Sequence, residues 1–454
     1  MLDLEKFVAY CKPGPRYTSY PTANEFREDF AYAHYVESLN ATPDAPLSLY
    51  VHLPFCRSAC YFCGCNSIYT SNVGNKTRYI DYLAKELALL RDVLDTRREV
   101  VQLHFGGGTP TFMSPEELDR ILTILHATFP NFAPDSENSC EVDPRFFSAE
   151  HMRVLRKWGT NRLSFGVQDF DSNVQQAIHR IQSVELVASA VALARENGIA
   201  SINFDLIYGL PRQNLQSFMQ TLQSVVELAP DRLAVFNYAH VPWIKKTMRK
   251  INELELPTPA QKLQILQQTI AFLSESGFRQ IGMDHFAKPE DDLFQAYTQG
   301  TLRRNFQGYT TKQGSQTIGI GLTSIGEGEA YYAQNYKDMA QYESAIDAGR
   351  LPLGKGIVLS DEDRLRKRVI MQLMSNLKLS FADIERAFPI DFASHFAPEL
   401  SELAGFEGQG LLVRSAEGIA ITKEGTLLVR NIVMPFDSFL KNTAPTQRKF
   451  SKTI

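Results

Sequence analysis

Four of the six cysteines in this sequence fall within ten residues, Cys56-Arg-Ser-Ala-Cys60-Tyr-Phe62-Cys63-Gly64-Cys65. Thiolates at C-x3-C-x2-C spacing, with one more cysteine two residues on, can wrap a single compact soft-metal centre, and cysteine thiolates are the ligands of iron–sulfur clusters. Three arrangements are open at this level. A zinc site normally joins two short Cys or His hooks far apart in the chain, and no second C-x-x-C occurs. A closed ferredoxin-type cluster would use all four thiolates, Cys65 included. A cluster held by three would leave one iron open to a small molecule, the logic that separates catalytic from structural zinc. Cys11 and Cys140 fit no ligand spacing and read as inert buried thiols.

Other polar groups gather where apolar, β-branched runs end. His104-Phe105 is followed by Gly106-Gly107-Gly108-Thr109, and Cys140 by Glu141-Val142-Asp143-Pro144. Phe165-Gly166-Val167 leads into Gln168-Asp169, and Phe236 into Asn237-Tyr238-Ala239-His240. The runs themselves are Leu47–Leu53, Val100–Phe105, Asn138–Val142, Arg162–Val167, Ile202–Tyr208, Leu233–Tyr238 and Arg279–Met283. They read as nearly continuous hydrophobic strands, buried on both faces. Helical spacing fills the intervals. Ile80, Leu83, Leu87, Leu90 and Leu94 share one face, and Ser114-Pro-Glu-Glu117 and Thr258-Pro-Ala-Gln261 are capping boxes with proline at the first helical position. Strand–helix–strand alternation predicts βαβ units and a parallel sheet, and six or seven units in one series favour a partial (β/α)6 TIM-like barrel. Barrel enzymes place their sites at the C-terminal strand ends, where these polar residues lie. The glycine run Gly106–Gly108 lacks a following Gly-Lys-Ser/Thr, which disfavours a nucleoside triphosphatase. His52, Asp284 and His285 fall at expected strand ends, where a role in the site and a hydrogen-bonded structural role are both open, and Arg303-Arg304 reads as a solvated charge pair.

With 454 residues, 44% hydrophobic and 22% charged, the chain has the composition of a globular protein with a large core. A net charge of −4 argues against a general nucleic-acid binder. No run of 18 apolar residues is present, and the N-terminus has no basic start followed by an apolar core, so a cytoplasmic protein without membrane span or disulfides is expected. After Ile357 the texture becomes mostly helical, with a hairpin at Leu411–Arg414 and Ile419–Thr422 that suits a winged-helix-like module whose strands pack rather than bind DNA. The basic tail at Arg448, Lys449 and Lys452 reads as a solvated end. The expected organisation is a strap over 1–45, a barrel with its extension over 46–357 and a smaller, mostly helical domain over 358–454.

C-x3-C-x2-C just after the first strand of a parallel barrel resembles the motif of radical S-adenosylmethionine (SAM) enzymes. The wider pattern is similar to that of the oxygen-independent coproporphyrinogen III oxidase family from about residue 13 to the C-terminus. The resemblance is carried by Gly14-Pro-Arg16-Tyr-Thr-Ser-Tyr-Pro-Thr22, the C-x-C cysteine, Gly106–Thr111, Glu141–Pro144, Gly166–Phe170, Asp205–Pro211 and Asn305–Thr310. It implies a [4Fe–4S] cluster and two SAM molecules. One electron from an external low-potential donor would cleave SAM to a 5′-deoxyadenosyl radical, which takes hydrogen from a propionate β-carbon. Loss of carbon dioxide and an electron to an acceptor then leaves a vinyl group, twice, turning coproporphyrinogen III into protoporphyrinogen IX. Two relatives offer alternatives. One is a haem-handling protein without the decarboxylase chemistry, a group that generally lacks the C-x-C cysteine and the Pro-Arg-Tyr-Thr-Ser-Tyr-Pro-Thr motif present here. The other is a haem-opening radical SAM methyltransferase.

The resemblance also implies roles. Cys56, Cys60 and Cys63 match the cluster ligands, with SAM on the fourth iron, and Cys65 matches an extra cysteine that is not a ligand. Tyr50, Gly107, Glu141 and Ile325 match first-SAM positions. Phe62, Gly108, Thr109, Gln168, Arg180, Asp205 and Ala239 match second-SAM positions, and Gly64 is grouped with the cofactor-binding residues. Phe306 and Gln307 match a motif required for activity, so that Tyr50, Glu141, Phe306, Gln307 and Ile325 form the expected catalytic set. Arg16 of the strap is either a partner for a propionate carboxylate or a surface salt bridge. No nucleic-acid or membrane partner is implied, and a monomer is expected.

Overall fold

The computed structural model describes Tyr10, residues 12–442 and Phe450. Cys11 and the basic tail residues Arg448, Lys449 and Lys452 lie outside the described residues. Six strands, β1 (Leu47–Leu53), β2 (Val100–Gly107), β3 (Phe132–Val142), β4 (Arg162–Gln168), β5 (Ser201–Tyr208) and β6 (Arg232–Asn237), lie side by side in chain order and run parallel. Helices α1 (Val73–Val93), α2 (Pro115–Thr128), α3 (Ala149–Lys157), α4 (Val184–Glu196) and α5 (Leu215–Glu227) fill the crossovers, and α6 (Pro259–Glu275) follows β6. This is the expected (β/α)6 series. The Arg279–Met283 run does not extend it: β7 (Arg279–Ile281) is three residues long and antiparallel to β8 (His285–Ala287), which pairs antiparallel with β6. Gly282, with φ +56, turns the chain straight back, so no crossover helix can intervene.

After a small hairpin, β9 (Arg303–Asn305) and β10 (Gly308–Thr310), the chain returns to the far side of β1. There β11 (Gln316–Ile320) joins in parallel, followed by antiparallel β12 (Ile325–Glu327), β13 (Tyr331–Asn335) and β14 (Leu353–Val358). The result is a twelve-stranded sheet, open at both edges.

Both faces of the central strands are buried, but they are not continuously apolar. Leu49, Val51, Leu103, Phe105, Leu163, Phe165, Phe204 and Leu206 belong to the core packed under the helices. Alternating with them, Gln102, His104, Glu137, Ser139, Glu141, Arg162, Ser164, Asn203 and Asp205 line an interior hollow. The strands therefore follow the period of two, with one oily face and one polar face. The polar groups bond to one another there: Ser164 Oγ donates to Asp205 at 3.0 Å, Asn203 Nδ2 to Ser164 Oγ at 2.8 Å, and Arg162 and Arg232 both face Glu137.

Helix starts follow the sequence closely. Ser114 and Thr258 each make the reciprocal capping pair with Glu117 and Gln261, and Ser360 does so with Asp363 at the start of α7 (Asp361–Asn376). The C-terminal hairpin gains a third strand: Lys378–Ser380 pairs with Gly418–Ile421, which pairs in turn with Leu412–Arg414. Around α7 lies a second core that also contains Tyr17 and Tyr20 from the N-terminal segment. Among the described residues no helix is long and apolar enough to cross a membrane.

One core carboxylate has a measurable consequence. Glu86 of α1 is 2% exposed and accepts hydrogen bonds from Tyr342 Oη (2.6 Å), Asn335 Nδ2 (2.7 Å) and the Gly321 amide (2.8 Å). Burial outweighs these bonds and raises its pKa to about 7. The folded state thus keeps a proton that the unfolded chain releases near pH 4.5, so this stabilisation is full at low pH and is lost as pH rises to about 7. Relative to Glu86→Gln, the wild type is expected to lose about 3 kcal/mol across that window. Urea unfolding at several pH values reads the difference; a constant gap would contradict it.

Candidate active site

The cysteine segment leaves β1 and crosses the C-terminal ends of the parallel strands. Phe55-Cys56 pairs with Ile68-Tyr69, closing the segment into a loop. Gly108 follows β2 under this loop: a Cβ there would come within 2.7 Å of the Pro54 carbonyl group, so the position has room only for glycine. Gly107 has φ +117, and a Cβ would meet the His52 ring at 2.8 Å. These two glycines thus serve close packing of the loop on β2. Of the two roles the sequence left open for His52, its contacts fit the structural one. It is buried, its Nδ1 is 3.1 Å from Tyr50 Oη and its Nε2 3.2 Å from the Asn66 carbonyl, and burial lowers its pKa to about 4.

Cys56, Cys60, Cys63 and Cys65 line one cavity of about 240 Å3. Thr109 Oγ1 lies 3.4 Å from Cys56 Sγ. Cys60 is buried, with Arg180 Nη1 at 3.8 Å and Arg145 Nη2 at 3.9 Å from its sulfur. The Cys65 amide donates to Cys63 Sγ at 3.4 Å. A hydrogen bond from the Cys65 side chain pulls the pKa of Cys63 down, while the same bond pushes that of Cys65 up. Among the described residues no three His, Cys, Asp or Glu are grouped to hold a single metal ion. A four-iron cluster asks something different, one thiolate for each of several irons around a shared hollow, and the cysteine-lined cavity fits that demand.

The wall facing the cysteines is polar. Glu141, Gln168, Asp205 and Arg180 line the same cavity, with Phe62, Gly108 and Thr109. Burial, with Glu141 adding to it, raises the pKa of Asp205 to about 6. Glu141 Oε1 is 3.4 Å from His104 Nε2, and Tyr50 stacks on His104 at 5.9 Å. Burial, reinforced by Glu141, pushes the Tyr50 hydroxyl pKa up. Below the wall, Asp143 is 5% exposed and receives Arg145 Nη2 at 2.7 Å and Arg180 Nη1 at 2.9 Å. Burial opposes its charge, but the two arginines hold its pKa below the usual carboxylate value.

The expected site residues do not all meet. Tyr50, Gly64, Gly107, Phe306 and Ile325 are outside the lining of the cysteine cavity. Ala239 lines a neighbouring, larger cavity, and Gln307, at the turn between β9 and β10, lines the interior hollow beside Glu141 and Asp205. Phe306 packs edge-on against Phe26 (6.2 Å) and Tyr332 (5.9 Å). Cys140 is fully buried, as expected of an inert thiol. Arg304 corrects the sequence reading: far from solvated, it is 9% exposed, donates to Tyr309 Oη at 3.0 Å and faces Asp284 at 3.8 Å. The hairpin folds it under the sheet edge, a placement that charge pairing along the chain cannot reveal. Sequence reasoning also missed Arg145 and His104. Their signal was position alone, directly after and within strands that end in polar residues.

The Radical SAM superfamily profile matches residues 50–225, the span that carries the loop and most of the parallel strands. Together with the partial barrel and the cysteine-lined cavity, it makes this a radical SAM protein, a class that works with a [4Fe–4S] cluster and SAM. The HemN C-terminal domain profile matches residues 359–428. Over its whole length the chain is 58% identical to an oxygen-independent coproporphyrinogen III oxidase of Helicobacter pylori, covering 99% of it, and 46% identical to that of Escherichia coli K12, covering 98%. The solved coproporphyrinogen III oxidase (HemN) from Escherichia coli, described as a radical SAM enzyme, superposes with a TM-score of 0.93 at 45% identity, over 97% of this chain and 99% of that one. The chain belongs to the oxygen-independent coproporphyrinogen III oxidase family.

Proposed function

We propose that this protein carries out the oxygen-independent oxidative decarboxylation of coproporphyrinogen III to protoporphyrinogen IX, in the cytoplasm and as a monomer. Each of two propionates loses a β-hydrogen, carbon dioxide and one electron, which passes to an acceptor, and ends as a vinyl group. When bound, the cluster and SAM supply the hydrogen-abstracting power, at the expense of one electron from an external low-potential donor. Cys56, Cys60 and Cys63 hold three irons and leave the fourth for SAM, while Cys65 remains a thiol.

The observation that carries this reading is that the motif cysteines share one 240 Å3 cavity with the acceptors Glu141, Gln168 and Asp205. Carboxylate and amide oxygens there suit an ammonium or ribose hydroxyls. Tyr50, Gly107, Glu141 and Ile325 serve the first of two SAM molecules. Phe62, Gly108, Thr109, Gln168, Arg180, Asp205 and Ala239 serve the second, with Gly64 in the loop that closes over them. Gln307, beside Glu141 in the interior hollow, acts on the substrate side, and Phe306 fixes its turn by packing on Phe26 and Tyr332. With its pKa raised to about 6, Asp205 is chiefly an acceptor at neutral pH and gains a donor proton as pH falls toward 6.

The test is an anaerobic assay with reconstituted cluster, SAM, a low-potential reductant and coproporphyrinogen III. Product mass is expected to fall by two carboxyl groups with two vinyls gained. A gain of carbon would indicate methyl transfer, and stoichiometric haem binding without turnover a haem-handling protein.

A further inference from the structure

Beside the cysteine pocket lies a second cavity of about 510 Å3, and Phe236 at the end of β6 lines both. Its volume is in the range of sites that enclose a small organic molecule. Its lining is strongly cationic: Arg16, Lys262, Arg304 and Arg430 face it, and Asp284 is the single carboxylate among the described lining residues. That carboxylate is already engaged, by His285 Nδ1 at 2.7 Å and Arg304 Nη2 at 3.8 Å. Arg304 in turn has a buried Nε without a partner among the described residues.

Arg16 enters from the N-terminal strap. It is exposed to solvent and lines the cavity. Of its five N–H donors one is used, Nη2 to the Asn237 carbonyl at 3.3 Å, and it makes no ion pair within 4 Å among the described residues. The backbone on both sides of it is pinned. Arg430 donates to the Gly14 and Pro15 carbonyls at 2.7 and 2.8 Å, and Tyr17 Oη donates to Asp437 at 2.9 Å. A guanidinium held this way is ready for an anion at little further ordering cost. The cations also crowd one another: burial chiefly, then Arg16 and Arg304, brings the pKa of Arg430 down to about 9.

We propose that this cavity seats propionate carboxylates of the tetrapyrrole that are not reacting, with Arg16 clamping one in a bidentate pair and Arg304 facing another. The planar fork of arginine matches a carboxylate in this way, and lysine does not. The assignment rests on the substrate reading given above. It makes Arg16 a specificity residue carried by the strap rather than by the barrel, and Arg430 the residue that positions it.

The test titrates the reconstituted holoenzyme anaerobically with coproporphyrin III, the stable oxidised tetra-acid, and with its tetramethyl ester, following porphyrin fluorescence. Wild type is expected to prefer the acid. Arg16→Gln should lose roughly 10- to 100-fold in affinity for the acid, the scale of one charge-assisted pair, with little change for the ester, and Arg16→Lys should recover part of the loss. Equal affinity of Arg16→Gln and wild type for the acid, at wild-type iron content, would overturn the clamp. Should Arg16→Gln fail to fold, the other arms decide: undiminished acid binding by Arg16→Lys, or ester binding as tight as acid binding in the wild type, overturns it equally. Wild-type turnover to the divinyl product alongside any of these results leaves the proposed function standing; absent turnover rejects that function instead.

Discussion

Cys60→Ser is expected to leave the purified protein almost free of iron and sulfide, whereas Cys65→Ser retains both and still cleaves SAM. The difference follows from what surrounds each sulfur. Cys60 is buried, with two guanidinium groups within 3.9 Å that would balance the negative charge of a cluster-bound sulfur. Cys65 is exposed at the rim and acts as a hydrogen-bond donor to Cys63, so its pKa rises while that of its neighbour falls. Losing a donor beside a ligand weakens a metal site by about 10- to 100-fold, and losing a ligand costs more, so SAM cleavage in Cys60→Ser should fall by at least about that range. Iron and sulfide analysis with visible absorption checks this, and equal iron loss in both variants would favour a closed four-cysteine cluster. Air should bleach the wild type, because an iron without a protein thiolate is open to oxidants.

Asp143→Ala is expected to destabilise the fold by about 3–5 kcal/mol, the cost of breaking a buried ion pair by removing one partner. Among the described residues Asp143 alone pairs with Arg145 and Arg180, whose side chains are 20% and 9% exposed, and its side chain also caps the turn at Arg145. Both arginines reach from it to Cys60, and Arg180 also donates to the Gly166 carbonyl at 2.6 Å. Without the carboxylate, a buried cation, Arg180, and a part-buried one, Arg145, face each other beside the cysteine loop. The loop should loosen with them, so iron retention is expected to drop together with the urea midpoint. A variant that loses stability but keeps full iron would separate the triad from the loop. Asp143→Asn, which keeps the shape and the turn cap but not the charge, should fall between Asp143→Ala and the wild type.

Much of the architecture could be read locally. Capping boxes at Ser114 and Thr258 and the strand runs from Leu47 to Tyr208 mark real elements, because a cap or a strand depends on residues a few positions apart. The Arg279 run failed that test: three residues and a tight turn make an antiparallel return, and strand propensity is silent about direction. The polar inner face of the sheet was hidden by the apolar residues between. His104, Ser164 and Asp205 become one wall only when β2, β4 and β5 are aligned in register.

The sequence by itself determined the chemistry. Four cysteines in ten residues call for a soft-metal centre, and the motifs around them lead to a radical SAM family without any coordinates, because such spacing is a local property. Only the tertiary structure decided which charges meet. Arg180 pairs with Asp143 across 37 residues, Arg16 reaches Asn237 across 221, and Arg430 holds the strap backbone across 415 and 416. A buried charge must find its counterion or an anionic ligand, but nothing along the chain names the partner. Folding the sheet, strap and C-terminal core together does, and it turns Arg16 and Arg304 from surface charges into the walls of a cavity.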